Sequence, residues 1–152
     1  DQVVEKWKTL ASHVLTFTKS WSQAYPLFKK GAAPIVFSYT TDALYNELEK
    51  GMPHLKALHF PEGHLCSNIY AGKTKVTQHA ALADQFMAFL LSREAQQIIA
   101  THGWIYPKGE MPEAWRKTKN YQPPPSWISY SSQEVADFKK AWIQEWLEGL
   151  MK

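Results

Sequence analysis

Residues 34–51 read PIVFSYTTDALYNELEKG, and this stretch indicates the fold class and a possible site together. The continuous apolar run at 34–38 predicts a buried strand. Thr40 or Thr41 is placed to cap a following helix, which Gly51 would end. Because ligands of open α/β sheets bind beyond the carboxyl ends of the strands, the junction between this strand and helix is a candidate binding site.

A second strand-to-helix junction precedes this one. Residues 14–18 predict a short strand, and Ser20 with Gln23 predicts a capping box for a helix that runs to Lys30. Trp21 lies at this junction. Each junction thus combines an aromatic ring and hydroxyl groups with a helix N-terminus, which suits a flat, cationic or polar ligand. The alternative is that the rings only pack against the core, and the residues alone leave both interpretations open.

The rest of the chain adds further elements to this α/β pattern. Strands are predicted at 54–60 and 65–71, and helices at 78–91, at 92–103 and from Ser131, which forms a capping box with Glu134. We therefore predict an α/β fold with parallel strands in the first part and mostly helices in the second. The helices of the second part have broad apolar faces that four short strands would not cover, so we expect something else to pack there.

The composition excludes several classes of protein. The chain has 152 residues, of which 45% are hydrophobic and 20% charged, so disorder is excluded and one domain-sized core is expected. No apolar run reaches the roughly 20 residues of a membrane-spanning helix. A net charge of +3 is weak evidence for nucleic acid, and no such partner is expected. The chain is rich in aromatic residues, with seven each of Trp, Tyr and Phe.

Metal and catalytic motifs are weak. His59, His64 and Cys66 lie close in sequence, but no fourth ligand stands at a recognisable spacing, so no metal is expected. The single cysteine excludes an internal disulfide. The chain has no glycine-rich phosphate loop, no G-x-S-x-G and no H-E-x-x-H, so we predict no catalytic residue, no cofactor and no enzyme activity. A third candidate for binding is the aromatic loop GWIYP at 103–107.

Several blocks of the sequence resemble one known family, the periplasmic thiamine-binding proteins of bacterial ABC importers. The blocks keep the family's order and spacing, and they lie at 18–25, 37–41, 60–64, 103–107 and 141–146. The resemblance implies a two-lobed periplasmic binding protein of which this chain is about the C-terminal half, with the N-terminal lobe strands missing. It assigns residues 1–62 to the ligand-binding C-terminal lobe, and 63–152 to the return crossing and the helices that would pack on the N-terminal lobe.

The same resemblance implies a function. The chain would be the solute-binding component of an importer for thiamine (vitamin B1) or its phosphates, located in the periplasm, with a membrane permease and the missing N-terminal half or a partner chain as its partners. The family's ligand-binding positions match Trp21, Tyr39, Thr40, Thr41, Tyr45 and Trp104. Trp21, Tyr45 and Trp104 would wall the pyrimidine and the thiazolium, the latter by cation–π contact. Tyr39 would lie nearer the hydroxyethyl or phosphate end, and Thr40 and Thr41 would help to bind phosphate.

Two alternatives remain open from the sequence. Enzymes that degrade thiamine or make its pyrimidine have similar two-lobed folds, and they need a nucleophile or a histidine cluster that this chain does not supply. Receptors for other small cations, such as polyamines or ferric iron, need several carboxylates or paired tyrosines. Because Tyr39 and Tyr45 are not adjacent, iron is disfavoured.

Overall fold

The structure is a computed structural model that describes residues 2–151. Over these residues it contains seven helices and two short strands. The helices are α1 (Gln2–Ala11), α2 (Trp21–Lys29), α3 (Asp42–Lys50), α4 (Ala80–Leu90), α5 (Arg93–Gly103), α6 (Glu113–Lys117) and α7 (Ser132–Met151). The strands are β1 (His64–Leu65) and β2 (Trp127–Ile128). Within this range, no helix combines the length and the apolar character that crossing a membrane requires.

Local signals in the sequence set several of the helix ends. The Ser92 hydroxyl accepts a hydrogen bond from the amide of Ala95 at 3.2 Å, as an N-cap does. Gly51 ends α3 in the left-handed conformation, with φ of 62°. The predicted capping box of α7 is confirmed, because the amide of Ser131 donates to the Glu134 carboxylate at 2.7 Å and the Glu134 amide donates to the Ser131 hydroxyl at 3.1 Å.

Neither half of the predicted capping box of α2 forms as expected. The Ser20 hydroxyl pairs with the hydroxyl of Ser22 at 2.9 Å instead of capping a backbone amide. The Gln23 side chain does reach back, and it accepts from the amide of Lys19 at 3.1 Å. The helix nevertheless begins at Trp21, one residue after the predicted cap.

The predicted strands are largely wrong as hydrogen-bonded elements. Among the described residues the sheet consists of β1 and β2, which pair in parallel with His64 opposite Trp127. The segments 14–18, 34–38 and 54–60 form no ladder there, and β1 only touches the segment predicted at 65–71. A strand exists only where a neighbouring strand satisfies its amides and carbonyls, and apolar character alone does not supply one.

The chain divides into two compact units. Unit 1 comprises Asp1–Ser38 and Ser129–Lys152, and unit 2 comprises Tyr39–Ile128. These units do not coincide with the predicted division into 1–62 and 63–152. That division refers to the lobes of a larger protein, and it stays a prediction.

Helices α1 and α7 pack against each other in unit 1. Trp146 of α7 makes edge contacts with Trp7, at 6.0 Å between ring centroids, and with Phe17, at 5.6 Å. Gly149 lies so close to Val4 that an added Cβ would clash, so the small residue allows the two helices to approach. On the same helix Trp142 is 43% exposed, whereas Trp146 is partly buried.

Unit 2 has a small core built from three helices. Leu44 of α3, Ala100 of α5 and Trp115 of α6 are at most 2% exposed and form one cluster. Trp115 lies on the short helix α6, which places its indole in the core of the unit. The side chains packed around this cluster are Trp104, Tyr106, Met111 and Tyr121.

Candidate functional site

Two of the predicted site residues, Tyr45 and Trp104, are in contact in unit 2. Tyr45 lies in the first turn of α3, and Trp104 follows the last residue of α5. Their ring centroids are 5.2 Å apart and their planes make an angle of 72°, so the edge of one ring faces the other. Both rings are partly buried. The pair therefore forms an aromatic corner with some surface left for a ligand.

Trp104 has an unusual backbone. Its φ of 54° and ψ of 41° place it in the left-handed region, where it is the one non-glycine residue with positive φ in the described part of the chain. A bulky side chain in this region costs about 1–2 kcal/mol. The amide of Trp104 donates to the carbonyl of Ala100 at 3.0 Å, so the residue ends α5 in the way that a glycine commonly does. The conformation turns the chain at the point where the indole meets Tyr45.

Trp115 supports the indole of Trp104 from the core. The two rings are nearly parallel, at 10°, with centroids 6.1 Å apart. Trp115 is completely buried, and its indole nitrogen has no hydrogen-bond partner among the described residues. Because no hydrogen bond holds this N–H, packing alone sets the position of the ring, even though an unsatisfied buried N–H is costly.

Tyr106 connects the same tryptophan to a predicted hydroxyl. Its ring meets Trp115 edge-on at 5.9 Å, and its hydroxyl lies 3.2 Å from the Thr40 hydroxyl. Burial raises the pKa of Tyr106, and the hydrogen bond with Thr40 partly opposes that change. The phenol therefore stays neutral at physiological pH. Thr40 is held at the start of the region that leads into α3.

Tyr39 and Thr41 flank Thr40 in different environments. Tyr39 is 68% exposed, and its amide donates to the Asp42 carboxylate at 3.4 Å. Thr41 is 5% exposed and precedes α3, where its carbonyl accepts from the amide of Tyr45 at 3.1 Å. Its hydroxyl makes no cap hydrogen bond. The ring of Tyr39 is therefore accessible, whereas the hydroxyl of Thr41 is enclosed.

Trp21 belongs to unit 1 and has its own polar and aromatic neighbours there. Its indole stacks on Tyr25 at 4.7 Å between centroids and 24° between planes. Its nitrogen donates to the Ser38 hydroxyl at 2.6 Å. The indole is 43% exposed. Tyr25 and Ser38 thus fix Trp21 at the junction where the sequence predicted a ligand.

A lysine that the sequence did not single out lies beside the aromatic corner. The ammonium of Lys50, the last residue of α3, is 5.1 Å from the centroid of the Tyr45 ring. A hydrogen bond with Tyr45 and the attraction to its hydroxyl raise the pKa of Lys50. The spacing of five residues is not one that predicts a helix-face pair, so the sequence offered no signal for this contact.

Three supporting residues of the site were missed, and the sequence held only weak signals for them. Tyr25 and Tyr106 lie inside the blocks already quoted, next to the predicted rings. Trp115 lies in an irregular, proline-rich region, where nothing in the local pattern reveals that the indole is fully buried.

The histidines considered as metal ligands do meet. The rings of His59 and His64 have centroids 5.3 Å apart, and His64 accepts from the amide of Phe60 at 3.3 Å. Burial, and then the proximity of His64, lower the pKa of His59. Within residues 2–151 no group of three or more His, Cys, Asp or Glu side chains is arranged to hold a metal ion.

A cavity of about 560 Å³ opens elsewhere in unit 2. Its lining is mostly charged and comprises Arg93, Glu94, Gln97, Glu110, Met111, Glu113 and Arg116. None of the six predicted site residues is among the described residues that line it. Its arginine and glutamate side chains partly neutralise one another, as in the 3.1 Å ion pair of Arg93 with Glu110.

Comparison with known proteins relates this arrangement to a family. The family model described as bacterial extracellular solute-binding protein matches residues 2–105. The thiamine-binding periplasmic protein of Escherichia coli (strain K12) is 35% identical over 148 residues, which are 96% of this chain and 44% of that protein. The thiamine-binding periplasmic protein of Haemophilus influenzae (strain ATCC 51907 / DSM 11121 / KW20 / Rd) is 34% identical and covers 100% of this chain and 46% of its own length.

A solved structure is similar as well. It is described as a periplasmic thiamin binding protein, has a TM-score of 0.83 and is 34% identical in sequence. The match covers 99% of this chain and 47% of that one. The chain thus spans less than half the length of the relatives that it matches.

Proposed function

The chain belongs to the bacterial extracellular solute-binding protein family, and from this premise we propose that it is the C-terminal part of a periplasmic thiamine receptor that serves an ABC importer. The predicted fold class, part of a two-lobed periplasmic binding protein, is confirmed by the similar solved structure. The names of the relatives support thiamine as the ligand and the periplasm as the location.

The observation that carries this proposal is the contact between Tyr45 and Trp104, at 5.2 Å between ring centroids. Thiamine joins an aromatic pyrimidine to a permanently cationic thiazolium. A corner of two partly buried rings supplies stacking to the first and cation–π attraction to the second. Each such contact is worth about 0.5–2 kcal/mol, and more where water is excluded.

The other predicted residues receive roles that fit their surroundings. Trp21 offers a half-exposed indole fixed by Tyr25 in unit 1, and its role as a ligand contact stays a prediction. The exposed ring of Tyr39 suits the hydroxyethyl or phosphate end of the ligand. Thr40 has a hydroxyl already oriented by Tyr106. Thr41 is enclosed, so a phosphate would reach its hydroxyl only after a local movement.

Binding without catalysis is the activity that we propose. The relatives are named as binding proteins. The chain's own candidates for chemistry are the neighbouring rings of His59 and His64. Among the described residues, no ring contact joins either histidine to Tyr45 or Trp104. A membrane permease and the remaining part of the receptor are the proposed partners, and the latter would complete the ligand site.

The test is a titration of the full-length protein with thiamine, followed by tryptophan emission and by calorimetry. We expect a saturable change in emission, competition by thiamine phosphates, and no competition by spermidine or ferric citrate. Thiamine should be recovered unchanged after incubation. A full-length protein that binds spermidine but not thiamine, or that cleaves thiamine, would contradict the proposal.

A further inference from the structure

The phenol of Tyr106 links the two chain segments that form the aromatic corner. It lies two residues after Trp104, in the loop that follows α5. Its hydroxyl is 3.2 Å from that of Thr40, which is 66 residues away in sequence, in the segment that enters α3. This hydrogen bond therefore joins the loop that carries one ring of the corner to the start of the helix that carries the other ring, Tyr45.

The ring of Tyr106 is itself held from two sides. Trp115 meets it edge-on at 5.9 Å between centroids, with 89° between the planes, and Trp127 meets it at 5.4 Å and 75°. The side chain is partly buried and packs against the core of unit 2. Because edge-to-face contacts with two indoles fix the plane of the phenol, its hydroxyl stays directed at Thr40.

The hydrogen bond joins two neutral groups in a partly buried place. Burial raises the pKa of Tyr106, so the phenol keeps its proton at neutral pH. A neutral hydrogen bond of this kind shifts an equilibrium by about 3–10-fold. That factor sets the scale on which the bond holds the two segments together in the protein without ligand.

On the basis of the proposed thiamine site, we propose that Tyr106 is a positioning residue that holds Trp104 and Tyr45 in their contact before the ligand arrives. The same ring supports Trp115, whose indole lies parallel to that of Trp104 at 6.1 Å. A site whose binding-competent form is only partly populated loses apparent affinity in proportion to that population. Without the bond, the ligand would have to order the two segments itself, and its affinity should fall accordingly.

The experiment measures the dissociation constant of thiamine by calorimetry on the full-length protein. Tyr106→Phe keeps the ring and removes the hydroxyl, and it should raise the dissociation constant about 3–10-fold. Tyr121→Phe is the matched control and should bind as the wild type does. Tyr121 packs against the same core, and among the described residues its hydroxyl forms no hydrogen bond.

A double-mutant cycle separates positioning from a general loss of packing. Thr40→Val removes the other half of the hydrogen bond, so in that background Tyr106→Phe should raise the dissociation constant by less than about twofold. Thr40→Ser keeps a hydroxyl, and the full cost of Tyr106→Phe should persist there. An effect of Tyr106→Phe that is as large in the Thr40→Val background as in the wild type would overturn the inference.

Hydrogen exchange without ligand tests the bond apart from thiamine. The amide of Trp104 donates to the carbonyl of Ala100 at 3.0 Å. By NMR its exchange should be about 3–10-fold faster in Tyr106→Phe and unchanged in Tyr121→Phe. Equal exchange in the two variants would contradict the inference.

The outcomes separate this inference from the proposed function. If the wild-type protein binds thiamine and Tyr106→Phe binds it equally well, the inference is wrong and the proposed function stands. If the wild-type protein does not bind thiamine, the proposed function fails, and the exchange rates then decide whether Tyr106 holds the loop of Trp104 in place.

Discussion

Trp104 combines a left-handed backbone conformation with a proposed role in ligand binding. Strained residues persist only where their surroundings hold them, and they cluster at functional sites. Here Tyr45 and Trp115 hold the indole from two sides.

We expect Trp104→Ala to weaken thiamine binding by about 1–3 kcal/mol, because one stacking and cation–π partner is lost. Calorimetry on the full-length protein measures this change. Trp142→Ala removes an indole of unit 1 that is 43% exposed, more than that of Trp104, and it serves as the control, with unchanged affinity expected. Equal losses in both variants would show that Trp104 is not a ligand contact.

Trp115 should behave as a core residue. Because its side chain is completely buried, Trp115→Ala should lower the free energy of unfolding by about 3–5 kcal/mol. Urea unfolding followed by circular dichroism measures the loss, and Trp115→Phe should restore part of it. A loss below about 1 kcal/mol would contradict the burial of this side chain.

For individual residues, the sequence predicted the aromatic rings of the candidate site but not the side chains that hold those rings in place. Tyr45 and Trp104 were identified by resemblance to a family, and their contact agrees with a shared site. The role of Trp115 depends on which side chains surround it, and that information lies in tertiary packing rather than in local pattern. The contact of Lys50 with Tyr45 was hidden for the same reason.

Among the elements, helices were predictable and strands were not. The caps at Ser92 and Ser131 and the stop at Gly51 act through neighbours in sequence, so the pattern alone determines them. A strand depends on a partner that is distant in the chain or outside it. Ile35 and Phe37, in a segment predicted as a buried strand, are 65% and 94% exposed.

The capping box of α7 should make stability depend on pH. The hydrogen bonds from the backbone and hydroxyl of Ser131 lower the pKa of Glu134 below its ordinary 4.5. A lowered pKa in the folded state stabilises the protein above 4.5, and this contribution is lost as the pH falls through the folded value. Thermal midpoints of wild type and Glu134→Ala should therefore differ at pH 7 and converge as the pH falls below the folded-state pKa of Glu134. A difference that is independent of pH would contradict the proposed role of the carboxylate.

At the scale of the whole molecule, many large apolar side chains are exposed. Such exposure is expected of a chain that spans less than half of its relatives' length. Phe37 is the clearest case, at 94% exposed. In the 152-residue chain alone, Phe37→Ala should change the free energy of unfolding by less than about 0.5 kcal/mol, as surface substitutions do.

We expect the remaining part of the full-length receptor to bury this ring, so that the same substitution should cost about 3–5 kcal/mol there. Urea unfolding of both forms, with and without the substitution, measures the difference. Phe138→Ala, at 50% exposed, provides a comparison in unit 1. A small effect in both forms would mean that Phe37 stays at the surface of the receptor.

The pairing of α1 with α7 has a consequence for biosynthesis. About 120 residues separate the end of α1 from the start of α7, so the ribosome completes α1 roughly 6–24 s before it begins α7. During that interval the nascent chain carries Trp7 without the Trp146 ring that it later contacts. We expect chaperones that bind apolar segments to crosslink near Trp7 on stalled ribosomes, and to release it once α7 has emerged.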